Sequence, residues 1–250
     1  MKVFVTGCNG FIGRHICSAL LNKDGLELFG IDFSSSPIVP LHGYFGGDIA
    51  DKDFPAAAAQ AFGNCDIFVH TAAFISMDPF DDTLIKTNIT GTNHVIQLAL
   101  STNCKKLIYF SSVPLIGQPI SLPITENHPT SPGTLYHITK LAGEYMVGIA
   151  ERNQLLQTTI LRISSPVGIG MNPNTILPVF LKRSLANQDL LLQGQGGRRQ
   201  NYIDVRDIVR AVQCCINNFA CGCFNIAGAK TISNLELANL IKPLTGSLSN

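Results

Sequence analysis

Short apolar runs and longer amphipathic stretches alternate along the first two thirds of the chain. Residues 2–6 (KVFVT) read as a buried strand, and 11–22 as a helix with Phe11, Ile12, Ile16, Leu20 and Leu21 apolar. Residues 26–32 form a second strand ending in an acid. A strand follows at 66–72 (DIFVHTA), after an alanine-rich helical run at 56–62. A helix around 87–101 leads into a strand at 107–112 (LIYFSS). Residues 136–153 are helical by periodicity, and 158–163 are a strand. Apolar strands without alternation, each followed by a helix, predict an α/β fold with a parallel sheet and helices on both faces.

Beyond about residue 165 the pattern loosens. A helix is expected over 176–187 and a turn at GQGG, 194–197. NYIDVRDIVRAV starts as a strand and turns helical from about Val205. A strand at 223–228 and a helix at 234–241 follow. Pro243 and Gly246 in the ending KPLTGSLSN are expected to stop that helix and leave a loop. The chain therefore divides into a regular α/β domain over 1–165 and a mixed region over 166–250. Part of that region is expected to form a small lobe interleaved with the sheet.

Composition narrows the function. Apolar residues make up 46% and charged residues 14%, and 18 Lys and Arg stand against 17 Asp and Glu. With no basic tract, nucleic acid and anionic membranes are not expected as partners. Eight cysteines lack paired CxxC spacing with flanking histidines, so they are expected to be packed, reduced thiols in a cytoplasmic protein, with no metal. No signal-peptide pattern precedes the first strand, and no run is apolar enough to span a membrane.

The chemistry starts at TGCNGFIG, 6–13. Gly7 permits the turn at the strand end, Gly10 lets backbone approach a pyrophosphate, and Gly13 allows close helix–strand contact. The helix N-terminus offers free N–H groups and a favourable dipole. Asp32, 19 residues after Gly13, stands where a carboxylate accepts from ribose hydroxyls and repels the extra phosphate of NADP, so NAD is the expected cofactor. Asp48 and Ile49 follow a Gly-Gly pair, where an acid reaches the adenine amino group. Thr71, Ala72 and Ala73 leave room for ribose and pyrophosphate; each of these is equally an ordinary loop residue. Tyr136 and Lys140 lie one helical turn apart, and an ammonium beside a phenol favours the phenolate. Ser112 ends a strand at the carboxyl edge of the sheet, where its hydroxyl can share a substrate oxygen with Tyr136.

As an ordered set these motifs resemble the extended short-chain dehydrogenase/reductases of the NAD-dependent epimerase/dehydratase group. The likeness extends to NITGT with Asn88, FSSVPLIG at 110–117, ITENHPTSP before YHITK, Arg162 with Pro166, and GQGGRRQNYIDVRD at 194–207. The resemblance implies a cofactor site of Gly7, Asn9, Gly10, Phe11, Ile12, Gly13, Asp32, Asp48, Ile49, Thr71, Ala72, Ala73, Asn88, Tyr136, Lys140 and Pro166. It implies catalysis by Ser112, Tyr136 and Lys140, and a homodimer formed through the helices of Asn88 and Tyr136. The implied reaction is epimerisation of a nucleotide sugar, at C4 of a UDP-sugar, through a transient keto form. The resemblance also makes 1–165 the NAD-binding Rossmann domain that carries the catalytic residues, and 166–250 in part a substrate lobe expected to be incomplete at its C-terminal end.

Departures bear on the substrate. Ser165 replaces an asparagine that contacts the substrate phosphate in galactose-epimerase-like members. Gln200 replaces an arginine, with Arg198 and Arg199 close enough to substitute. Ile116 replaces a tyrosine. Val113-Pro114 stand where dehydratases carry an Asp-Glu pair, which argues against a dehydratase. The alternatives are a ketoreductase or 3β-hydroxysteroid-type dehydrogenase on an apolar carbonyl, and a cofactor-bound protein without catalysis.

Overall fold

In the computed structural model, which describes residues 1–248, the chain runs β1 (Lys2–Thr6), α1 (Phe11–Leu20), β2 (Glu27–Asp32), β3 (Gly43–Gly46), α2 (Phe54–Phe62), β4 (Ile67–His70) and α3 (Asp82–Ile85). A π-helical turn (Lys86–Thr90) joins α3 to α4 (Gly91–Ser101). Next come β5 (Lys106–Ser112), a 3₁₀ turn (Val113–Ile116), α5 (Leu135–Arg152) and β6 (Gln157–Ile163). The remainder is β7 (Ser165–Val167), α6 (Ile176–Leu185), β8 (Arg199–Asp204), α7 (Val205–Asn218), β9 (Gly222–Ile226), β10 (Thr231–Ser233) and α8 (Asn234–Thr245). By contacts the chain forms two units. The first holds Met1–Ile163 and Arg206–Ile226, the second Ser164–Val205 and the residues from Ala227 on.

The first unit is a Rossmann-type sheet of order β3-β2-β1-β4-β5-β6-β9, parallel throughout. Its central strands are buried on both faces, so Val3–Val5, Ile67–Val69 and Leu107–Phe110 show no apolar–polar alternation. Phe4 anchors one face, with the rings of Phe29, Phe62 and Phe68 all 5.1–5.2 Å away in tilted or edge contacts. Helix α5 comes close to β5 because Gly143 lies on Tyr109; a Cβ there would sit 2.1 Å from the phenol oxygen. Helix α7 buries Val205, Ile208, Val209, Val212, Cys215 and Ile216, one stripe at helical spacing.

The smaller C-terminal unit has its own sheet, β10-β8-β7, in which β7 pairs parallel and β10 antiparallel to β8. Its core is Phe180, Leu190, Leu237, Ala238 and Ile241. A reciprocal cap starts α8: the Ser233 hydroxyl accepts from Glu236 N–H, and the Glu236 carboxylate accepts from Ser233 N–H.

Four features differ from expectation. The strand expected over 66–72 ends at His70; Thr71 still bonds the Thr6 carbonyl, and Ala72 packs on Gly7 where the turn after β1 begins. The helix expected from 87 begins at Asp82, where the Asp81 carboxylate caps Thr83 N–H. Strands β7 and β10, three residues each, are too short to show a period. Pro243 does not stop α8. One lost N–H in the last turns is outweighed by burial of Leu237, Ala238 and Ile241, and the stop comes at Gly246 in the left-handed conformation. Of the loop-like ending expected after the helix, residues 249–250 lie outside the described residues.

Candidate cofactor and catalytic site

Three backbone segments meet at the carboxyl ends of β1, β2 and β4. Gly7, at φ +69°, donates its N–H to the Ile31 carbonyl at 2.7 Å, and a Cβ on it would stand 2.7 Å from the Ala72 nitrogen. A Cβ on Gly13 would stand 2.0 Å from the Gly7 carbonyl oxygen. Helix α1 thus begins against the strand end, with Gly10 as its N-cap and no capping side chain. Its first N–H groups, at Phe11, Ile12 and Gly13, are the donors a phosphate takes up.

Asp32 is buried. One carboxylate oxygen accepts from Asn9 N–H at 3.0 Å and the other from the N–H and hydroxyl of Ser34, which leaves lone pairs for a diol. Asn9 spends its side chain on the loop after β2, donating to Ser36 carbonyl and accepting from Ile38 N–H. Asp48 is exposed and accepts from Ala50 N–H, whereas the Ile49 side chain belongs to the core. Thr71 donates its hydroxyl to the Thr6 carbonyl; Ala72 packs on Gly7, and Ala73 follows half-buried.

Behind the cradle runs a buried polar relay that sequence pattern does not reveal. Thr92 gives its hydroxyl proton to the Asn88 carbonyl, so His70 Nε2–H must donate to Thr92 Oγ1 at 3.0 Å. His70 Nδ1 then accepts from the Thr6 hydroxyl at 2.7 Å. Asn88, in the π-helical turn, accepts from Phe74 N–H and donates to Phe74 carbonyl and to the Thr139 hydroxyl. Its amide ties the loop after β4 to α5.

Burial draws the His70 imidazole down to about 3. Between that value and the ordinary 6.5, the unfolded chain binds a proton that the folded chain refuses. The stability this confers is present above about pH 6.5 and lost as the pH falls toward 3. The unfolding free energy from urea titrations between pH 7 and 5 should therefore fall by up to about 1.4 kcal/mol per pH unit from this group. His70→Asn should flatten that slope whatever its effect on absolute stability.

The catalytic candidates lie further along the same edge. Ser112 ends β5 and precedes the 3₁₀ turn. Thr134 caps α5 through His137 N–H, and Tyr136 and Lys140 follow in its first turns. The spacing puts an ammonium beside a phenol, and the structure adds that the Lys140 hydrogen bond goes to the strand beneath. Lys140 Nζ donates to the Phe110 carbonyl at 2.8 Å and lies 5.1 Å over the Tyr109 ring. A four-carbon stem reaches past its own helix face to the strand beneath. Burial draws Lys140 down to about 7 against the opposing pull of Glu144. Burial likewise pushes Tyr136 up to about 12, so in the protein alone the phenol keeps its proton.

In the second unit, Ser165 and Pro166 form β7, paired with Tyr202 and Ile203. Arg198 and Arg199 differ sharply. Arg199 is held by the Thr231 hydroxyl and carbonyl and by the Glu236 carboxylate at 3.3 Å. Arg198 is exposed, near enough to Tyr202 for its charge to act on the phenol. The Tyr202 hydroxyl and Ser164 Oγ are buried without a partner among the described residues.

Comparison with known proteins gives this geometry a setting. The chain is 28% identical over 273 residues to a UDP-glucose 4-epimerase of Lactobacillus helveticus, covering 98% of this chain and 82% of that one. It is 26% identical over 266 residues to a dTDP-glucose 4,6-dehydratase of Streptomyces niveus, covering 99% and 78%. Its fold is similar to that of the Thermus thermophilus UDP-glucose 4-epimerase solved with NAD, at a TM-score of 0.89 and 24% identity, covering 100% of this chain and 85% of that one. Residues 3–227 match the family model described as the NAD dependent epimerase/dehydratase family. A match over most of the chain, with the glycine cradle, Asp32, Ser112, Tyr136 and Lys140 on one sheet edge, shows that the protein belongs to that family.

Proposed function

We propose that the protein interconverts epimers of a nucleotide sugar, at C4 of a UDP-linked sugar, with NAD as its resident cofactor. The observation that carries this reading is the shared carboxyl edge of one sheet, with the cradle at β1, β2 and β4 and Ser112, Tyr136 and Lys140 at β5 and α5. NAD fits the residues present. The cradle has no Cβ where a pyrophosphate needs backbone, and Asp32 retains acceptor capacity for the ribose while its charge disfavours a 2′-phosphate. Bound NAD supplies a site that takes hydride from the sugar carbon and returns it.

The protein's own residues handle the proton. Tyr136 accepts it from the sugar hydroxyl and gives it back, and Ser112 donates a hydrogen bond to the same oxygen. Burial makes the phenolate costly, so a cation must accompany it. Lys140, one turn along the helix, is that cation. Val113 and Pro114 after Ser112 add no acid for a dehydration step, which favours epimerisation over the reaction of the Streptomyces relative. For the diphosphate, Arg198 is the uncommitted cation, and the orphaned Tyr202 hydroxyl offers a polar contact in the same unit. Arg199 is engaged with Thr231 and Glu236, and Ser165 lies on β7, opposite Tyr202 of β8. Arg198→Ala is expected to raise KM for the nucleotide sugar about tenfold with kcat held, read in steady-state assays.

The test is a panel of UDP-, GDP- and dTDP-sugars incubated with protein and NAD, followed by NMR of the anomeric protons. A new C4 epimer without net cofactor turnover supports the proposal. A reduced or oxidised product with stoichiometric cofactor turnover supports the ketoreductase instead. Helix α5 leaves Ile138, Tyr145 and Ile149 at 47%, 62% and 51% exposed along one side, which supports a homodimer through this helix and α4. Sedimentation velocity at micromolar concentration tests it, and a monomer would reject it.

A further inference from the structure

The last residues of β5 dock α5 in succession. Tyr109 donates its hydroxyl to the Lys140 carbonyl and sets its ring under the ammonium. Phe110 gives its carbonyl to Lys140 Nζ, and the Ser111 hydroxyl donates to Glu144 Oε1 at 2.5 Å. Ser112 comes next. Glu144 is one helical turn beyond Lys140, which is one turn beyond Tyr136, so the three follow one side of α5. From β6, Arg162 grips the Glu144 carboxylate with two prongs, Nε to Oε1 at 2.9 Å and Nη2 to Oε2 at 2.7 Å. Both side chains are only 8% exposed. The remaining guanidinium nitrogen, Nη1, donates to the Glu126 carbonyl at 3.0 Å.

Packing alone does not call for this pair, since buried ion pairs are often replaceable by apolar groups without loss of stability. Lys140 provides the reason. Its ammonium is enclosed, and its two contacts, a carbonyl and an aromatic ring, carry no net charge. The titratable or charged groups facing it are Tyr136 and Glu144 on α5, Tyr109 on β5, His70 on β4, and Arg162 behind Glu144 on β6. His70 is neutral, and burial holds both tyrosines protonated. Glu144 is the anion of the set.

We propose that Glu144 is a positioning residue for the proton transfer, keeping the Lys140 ammonium charged inside the helix–sheet contact. Arg162, by claiming the same carboxylate, sets how much of its field reaches Lys140. The inference rests on the reading of Lys140 as the cation that serves Tyr136. The opposition between burial and Glu144 at Lys140 has the sign this requires.

The test follows the Lys140 side chain by NMR in protein carrying isotope-labelled lysine, titrated as wild type, Arg162→Gln, Glu144→Gln and the double variant. The expected order of titration midpoints is Arg162→Gln highest, then wild type, then the double variant, then Glu144→Gln. The extremes should differ by at least about one pH unit. Glu144→Gln strands a buried guanidinium; if that variant does not fold, the double variant, with both charges gone, is compared with Arg162→Gln. Midpoints that stay put, or that shift the same way when either charge is removed, overturn the proposal and reduce the cluster to packing. The pH–rate profile reads the underlying role separately. With the midpoints ordered as expected, a rate limb that fails to follow them rejects Lys140 in proton transfer and leaves the charge balance standing.

Discussion

Tyr136→Phe is expected to lower kcat by about 10²–10⁴-fold, the range a positioned acid–base group supplies. The change removes one oxygen and keeps the ring, which sits 5.3 Å from the His137 ring in an edge contact, so α5 should hold its place. Cofactor affinity and thermal midpoint should therefore stay near wild type, and KM should change little beside kcat. Because burial holds the phenol near 12 in the protein alone, activity should climb with pH only insofar as Lys140 and bound cofactor bring that value down. Turnover within tenfold of wild type would put the base elsewhere.

The second large effect is in the cradle. Gly13→Ala introduces a Cβ 2.0 Å from the Gly7 carbonyl oxygen, a backbone atom that cannot swing aside. The strand end and the helix start must separate, at a cost of about 1–3 kcal/mol. The loss falls on the phosphate-facing turn, so NAD affinity should drop about 10- to 100-fold. Calorimetry with NAD and thermal unfolding without it read the two consequences. Gly133→Ala is the control, since its Cβ would meet nothing within 4 Å, and neither quantity should move. Wild-type affinity in Gly13→Ala would mean that NAD binds elsewhere.

Much of this site is legible from residues alone, and the reason is geometric. A strand buried on both faces must carry an unbroken apolar run, as at Val3–Val5 and Leu107–Phe110. A helix that starts against a strand end needs glycine where no Cβ fits, which marks Gly7 and Gly13. Acids and hydroxyls at strand ends then gather on one edge, which accounts for Asp32 and Ser112. What sequence spacing withholds is where a long side chain goes. One-turn spacing set Lys140 on the same helix side as Tyr136 but gave no sign that its stem reaches the Phe110 carbonyl. Arg198 and Arg199 look interchangeable in sequence, yet the start of β8 commits one to Thr231 and Glu236 and leaves the other exposed. Motif marks Ile49 and Asn88 for the cofactor, but it does not tell which packing and hydrogen bonds their side chains make. The first side chain is core, and the second is engaged by Phe74 and Thr139. The relay through His70 and the Glu144–Arg162 pair join residues far apart in the chain, and only their meeting in space makes them visible.

The central claim is that a hydride leaves the sugar carbon and comes back to it while Tyr136 moves the proton. The most direct measurement uses a UDP-sugar deuterated at C4, incubated with the protein and unlabelled NAD, with both epimers then assayed by NMR and mass spectrometry. Deuterium retained at C4 of the new epimer, with no net change in the cofactor, is the result expected. Deuterium lost to solvent or accumulating in the cofactor, or a new epimer at another carbon, would contradict it.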